Sequence, residues 1–160
     1  MNISKSLITL LFLLLLGCSN SSEPEQLDDL FRDYFLSNSF GRRTTSFEAN
    51  EDIFFNYMFI NNTGDSLDYG LTHSGPFVTF VVLLDTSRIG STADGYAFLT
   101  DAPKGVLLPG DTLWARPSWL SNEYHDKLPA GTYYAVAFLH IWFKDHAWAG
   151  LRAIEFSVHK

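Results

Sequence analysis

From Thr44 onward the chain is a succession of short apolar runs, each closed by a turn signal. The runs "TTSFEAN", "DIFFNYMFINNTGDS", "LDYGLT", "FVTFVVLLD", "GYAFLT", "DTLWARPSW", "TYYAVAFLHIWF" and "GLRAIEFSVHK" are rich in β-branched and aromatic residues. The breaks between them are "HSGP", "RIGSTADG", "DAPKG", "LPGD", "LPAG" and "KDHAWAG". Runs this short suit strands rather than helices, and turns roughly every eight to twelve residues point to a sandwich. The expectation is an all-β fold: one antiparallel β-sandwich of seven or eight strands over residues 44–160. No repeat of solenoid or propeller length is evident. Aromatic residues make up 16% of the chain, enough to fill such a core.

Two turns carry a sharper expectation. Pro109–Gly110 suits the centre of a type II turn, where glycine supplies the positive φ. "LPAGTYYAV" places Pro129, Gly131 and Tyr133 at the spacing of a tyrosine corner, in which a strand-initial tyrosine bonds back to the upstream backbone.

The first 43 residues have a different texture. Lys5 precedes the apolar run Leu7 to Leu16, which is too short to span a bilayer that needs about 20 residues. "LLGC" follows and ends at Cys18, the single cysteine of the chain. This motif resembles the lipobox of bacterial lipoproteins. The resemblance implies a signal peptide over residues 1–17, cleavage before Cys18, and diacylglycerol on its thiol, the strongest nucleophile among neutral side chains. "SNSSEPEQ" then reads as a tether within residues 18–26. The implied location is the cell envelope, lipid-anchored, in the outer membrane if the host has one. In residues 27–43, Leu27, Leu30, Phe31, Tyr34 and Phe35 follow helical spacing, with Asp28 and Asp29 in the first turn. The spacing predicts a short amphipathic helix; extended chain feeding the first strand is the alternative.

Charge narrows the partners. The formal net charge is −7, and excising residues 1–17 removes one further cation, Lys5. An acidic chain without a basic run is unsuited to nucleic acid. With its one thiol lipidated, the fold has neither a disulfide nor a thiolate zinc site.

Several residues have side chains capable of chemistry. Asp85–Thr86–Ser87 after an apolar strand has the outline of an aspartic-protease turn, but Ser87 stands where glycine belongs and no second copy exists. A strand ending in an Asp turn explains it more simply. His73 and Ser74 are adjacent, so on extended chain they point apart and make a poor base–nucleophile pair. His140, Asp145 and His146 are close in sequence, but His140 belongs to a strand and His146 to the next turn, so no metal or other cofactor is expected. His125 reads as a loop residue.

The four tryptophans, Trp114, Trp119, Trp142 and Trp148, all lie in the second half of the domain. Core packing accounts for one or two; the rest suit a partner-binding patch, with Trp148 as anchor, Trp119 second and Trp142 beside them.

The order of motifs resembles the BsuPI-type intracellular proteinase inhibitor family over roughly residues 50–142. The residues that carry it are Asn62–Thr63, Leu67, Ser74–Gly75, Phe77 to Asp85, Leu108–Pro109–Gly110, Trp119, and Pro129, Gly131, Tyr133 and Val136. The resemblance implies an immunoglobulin-like sandwich that binds a protein, such as a protease of the envelope. The expected role is therefore a non-enzymatic, membrane-anchored interaction module. The alternatives are a carbohydrate-binding or structural module using the tryptophans, and a hydrolase using Asp85.

Overall fold

The computed structural model describes residues 30–144 and 153–160. Among them the chain is all-β and forms a β-sandwich. Eleven strands follow in order: β1 Leu30–Ser37, β2 Ser46–Glu48, β3 Phe54–Asn61, β4 Leu67–Leu71, β5 Val78–Leu84, β6 Ser87–Ser91, β7 Lys104–Leu107, β8 Thr112–Ala115, β9 Gly131–Leu139, β10 Ile141–Phe143 and β11 Ala153–His159. Their sheets run β1-β3-β8, β10-β4-β7 and β2-β11-β9-β5-β6. All pairings are antiparallel except β2 with β11.

The three-stranded sheet β1-β3-β8 faces the five-stranded sheet across an aromatic core. Phe55 of β3 stacks on Phe80 of β5 at 5.2 Å, and Tyr34 of β1 meets the same ring at 5.4 Å. The Tyr34 hydroxyl donates to the carbonyl of Ala135 on β9 at 2.9 Å, so its polar tip is satisfied across the core. Burial, with Tyr57 nearby, pushes that phenol far above its ordinary range. β9 breaks at His140, and the chain crosses as β10 into the third sheet, where Phe143 packs on Phe59 and Tyr69.

The expected helix over the start of residues 27–43 is not formed: Leu30 to Ser37 is strand β1, paired with β3 from Leu30↔Asn61 to Ser37↔Phe54. Leu30, Tyr34 and Leu36 face inward while Phe31 and Phe35 face out. A spacing of four residues returns to the same face in a strand as well as in a helix, so Leu30 and Tyr34 fit both patterns; eight residues of pairing with β3 decide between them.

The strand count exceeds seven or eight because β1 takes the place of the expected helix and four expected runs and turns are divided differently. "TYYAVAFLHIWF" splits into β9 and β10. "RIGSTADG" and "DAPKG", both expected as turns, contribute β6 and β7. "GYAFLT", expected as a strand, is irregular.

Both sharper turn expectations are met. Gly110 has φ 81°, and the Asp111 N–H bonds to the Leu108 carbonyl at 3.0 Å, as a type II turn requires. The Tyr133 hydroxyl donates to the Pro129 carbonyl at 2.7 Å, closing the corner at Gly131, where β9 begins.

Candidate functional site

The residues expected to bind a partner are scattered. Trp119 is not a surface anchor: it is 2% exposed. Its indole N–H donates to the Asp126 carbonyl at 2.8 Å, its ring edge meets Phe55, and the His125 ring stacks on it at 3.8 Å. The loop that carries it folds back over the end of the sandwich, with its own backbone N–H bonded to the Ile53 carbonyl and Ser118 bridging to Phe54. Trp142 on β10 is 43% exposed and Trp114 on β8 is 57% exposed, but they belong to different sheets. Cys18, Trp148, Asp145 and His146 lie outside the described residues.

Asp85 occupies an exposed two-residue turn between β5 and β6, with φ 55°. Aspartate tolerates this left-handed conformation better than most residues. Across the sheet, Tyr134 bonds to Glu155; that bond first, and the charges of Glu155 and Asp85 with it, hold the phenol above its ordinary value.

His73 and His140 do come together, 4.4 Å apart between ring centroids. His73 stacks on Phe98 and accepts the Gly75 N–H, while His140 Nε2 lies 2.9 Å from the Thr79 hydroxyl. Burial, and then the neighbouring His73, hold His140 below the ordinary histidine value. Among the described residues no three His, Cys, Asp or Glu side chains group as metal ligands would.

A surface that sequence reasoning missed lies between two loops, residues 92–103 and 116–130. It comprises two adjoining depressions of about 220 and 210 Å³. Tyr96, Ser121 and Asn122 line both; Tyr124 and Glu123 flank one, and Phe98, Pro76 and Pro117 the other. Tyr96 is 65% exposed and Tyr124 63%. Gly95 makes the approach feasible. Its φ is 78°, and a Cβ there would lie 1.9 Å from the Tyr124 ring.

The loops are held from below. Asp94 accepts the Ser91 N–H at 2.7 Å, pairs with Arg88, and lies 3.4 Å from His125 Nε2. Burial alone would raise its carboxyl, but these three partners outweigh it and hold Asp94 below the usual carboxylate range. His125 Nδ1 donates to the Trp119 carbonyl at 3.1 Å. Asn122 is buried, donating to the Asp94 carbonyl at 3.1 Å and accepting the Tyr124 N–H at 3.0 Å. The exposed rings thus stand on a base whose polar groups are engaged with one another, a rigid display rather than a set of free reactive groups. The one signal in the sequence was the presence of aromatics in a run punctuated by glycine and aspartate. Nothing in either loop alone shows that they meet.

No family model matches the chain, and no curated protein matches it. Solved structures similar to it include a β-glucosidase from Erythrobacter marinus, at 10% identity and TM-score 0.41, and a β-glucosidase from Listeria innocua in complex with glucose, at 12% and 0.40. Each match covers 81% of this chain, which spans only 16% of those proteins.

Proposed function

We propose that this chain is a lipid-anchored recognition module of the cell envelope. In this reading Cys18 carries the lipid, and the sandwich presents the loop surface around Tyr96 and Tyr124 to a protein partner. The observation that carries the binding reading is the pair of exposed tyrosines fixed over the hydrogen-bonded base of half-buried Asp94 and His125 and buried Asn122. Tyrosine offers a large amphipathic contact with little entropy to lose, and it is a frequent hot spot. The resemblance to the proteinase inhibitors makes an envelope protease the first partner to try, with the protein acting as ligand rather than enzyme.

The test has two arms. Cys18→Ser yields an unprocessed precursor that takes up no labelled palmitate; continued uptake refutes the anchor. In the second arm, Tyr96→Ala and Tyr124→Ala each weaken inhibition or binding of envelope proteases by tenfold or more, about 1.4 kcal/mol, with thermal stability retained. Unchanged binding by both variants refutes the loop surface.

Glycan binding is the second reading, and Trp142 favours it. Its indole lies over Gly70 of β4, where a Cβ would come within 2.4 Å of the ring, so the ring covers the strand as an aromatic platform. Retention on an envelope-glycan column that is lost in Trp142→Ala would select it.

A further inference from the structure

The outward face of sheet β1-β3-β8 is apolar where a sandwich facing water is ordinarily polar. Register places Phe31 beside Ile60, and Met58 between Asp33 and Trp114. Phe31 and Trp114 are exposed, and Met58 and Ile60 are only half-buried. In the turn after β1, Phe40 is almost wholly exposed. A single exposed aromatic needs no explanation; a contiguous group on one face does.

The charges around this face run against the acidic balance of the chain. Arg43 lies over the Phe35 ring at 4.7 Å and Arg116 over Phe54 at 4.4 Å. Arg42 is exposed in the same turn as Phe40. Gly41 brings that turn to Arg116, a Cβ there being 3.9 Å from the guanidinium. The carboxylate on the face, Asp33, is neutralised by Arg43 at 3.0 Å. Asp111 sits at the far rim, where its side chain accepts the Leu108 N–H.

We infer that this face docks on the phospholipid surface to which the chain is tethered, with Phe31, Phe40 and Trp114 at headgroup depth and Arg42 and Arg116 against lipid phosphates. The inference rests on the lipid-anchored reading. Trp and Phe with flanking arginines are the side chains that an interface between headgroup and acyl chain favours. The tether adds the reach argument. From Cys18 to Leu30 the chain spans at most about 40 Å when extended, on the order of the domain's own diameter. It enters at β1, the strand that carries Phe31. The domain is thus held within contact distance of the bilayer with its apolar, cationic face on the sheet nearest the anchor. Arginine near an anionic surface adds attraction that salt screens.

The experiment uses the full lipidated protein in vesicles of phosphatidylcholine and phosphatidylglycerol, with tryptophan emission quenched by lipids carrying a doxyl label at a shallow or a deep acyl position. Mass spectrometry first reads the acyl group. Shallow-label quenching should be strong and fall by at least half in Trp114→Phe. Adding Phe40→Trp to that variant should restore it, and Arg42→Gln with Arg116→Gln should weaken it selectively in vesicles containing phosphatidylglycerol. Each variant is checked by its thermal transition. An acylated protein that floats with the vesicles but shows no shallow quenching of Trp114 overturns the docking face and leaves the anchor standing. If Trp114 is then also shielded from aqueous acrylamide, a second copy of the chain covers the face instead. A protein without the acyl group overturns the anchor, and the docking inference falls with it.

Discussion

Replacing Asn61 tests how sheet β1-β3-β8 is joined to sheet β10-β4-β7. Asn61 ends β3 and is fully buried. Its Nδ2 donates to the carbonyls of Asp65 at 2.8 Å and Leu107 at 2.9 Å, and its Oδ1 accepts the Thr63 N–H at 3.0 Å and hydroxyl at 2.7 Å. Only one orientation of the amide satisfies all four bonds, because carbonyls can only accept. One side chain therefore closes the β3–β4 turn and ties it to β7. Its backbone meets the β7–β8 turn through Gly110 N–H at 2.8 Å and the Asp111 carbonyl at 3.0 Å. A net hydrogen bond contributes about 1 kcal/mol, and an orphaned buried acceptor costs about 1–3 kcal/mol. Thr63 and Asp65 lie where water can replace part of what is lost. The Leu107 residue is buried, so its carbonyl is the main casualty. Asn61→Ala should therefore destabilise by about 2–3 kcal/mol. Asn61→Asp should cost more, since it sets a carboxylate against two carbonyls in place of the amide donors. Urea unfolding followed by intrinsic fluorescence measures both, with the slope m unchanged if only stability has altered. A loss below about 0.5 kcal/mol for Asn61→Ala, or an Asp variant as stable as the Ala variant, would refute the reasoning.

Three further outcomes follow from contacts described above. Tyr133→Phe removes the corner hydrogen bond to Pro129 and should cost about 1 kcal/mol in the same assay; no change would mean that the ring alone matters. Gly70→Ala sets a methyl against the Trp142 ring and should cost about 1–3 kcal/mol, largely relieved in the Gly70→Ala/Trp142→Ala double variant; equal costs in both backgrounds would locate the strain elsewhere. His140 has a folded-state pKa below the unfolded value of about 6.5, so the unfolded chain takes up the proton first and stability falls as pH drops through and below that value. His140→Gln should flatten this part of the stability–pH curve, and an unaltered curve would assign the dependence to another group.

What could be read from the sequence alone was whatever is enforced locally. The Pro109–Gly110 turn and the Tyr133 corner are settled within three or four residues by φ preference and a single hydrogen bond, and both stand as expected. The all-β class was legible for a similar reason: β-branched and aromatic runs between frequent turns leave little room for helix. Tertiary structure decided the rest. Residues 30–37 carry a spacing compatible with helix and strand alike, and β1 exists because β3 offers a partner along its whole length. Trp119 could be identified as a large aromatic close to proline, but its burial depends on Ile53 and Phe55 arriving from elsewhere in the chain. The tyrosine surface depends most heavily on tertiary structure, because Asp94 meets Asn122 and His125 across sequence separations of 28 and 31. Local preference carries no information about such a meeting, since it is created by packing between segments and not by either segment's own backbone.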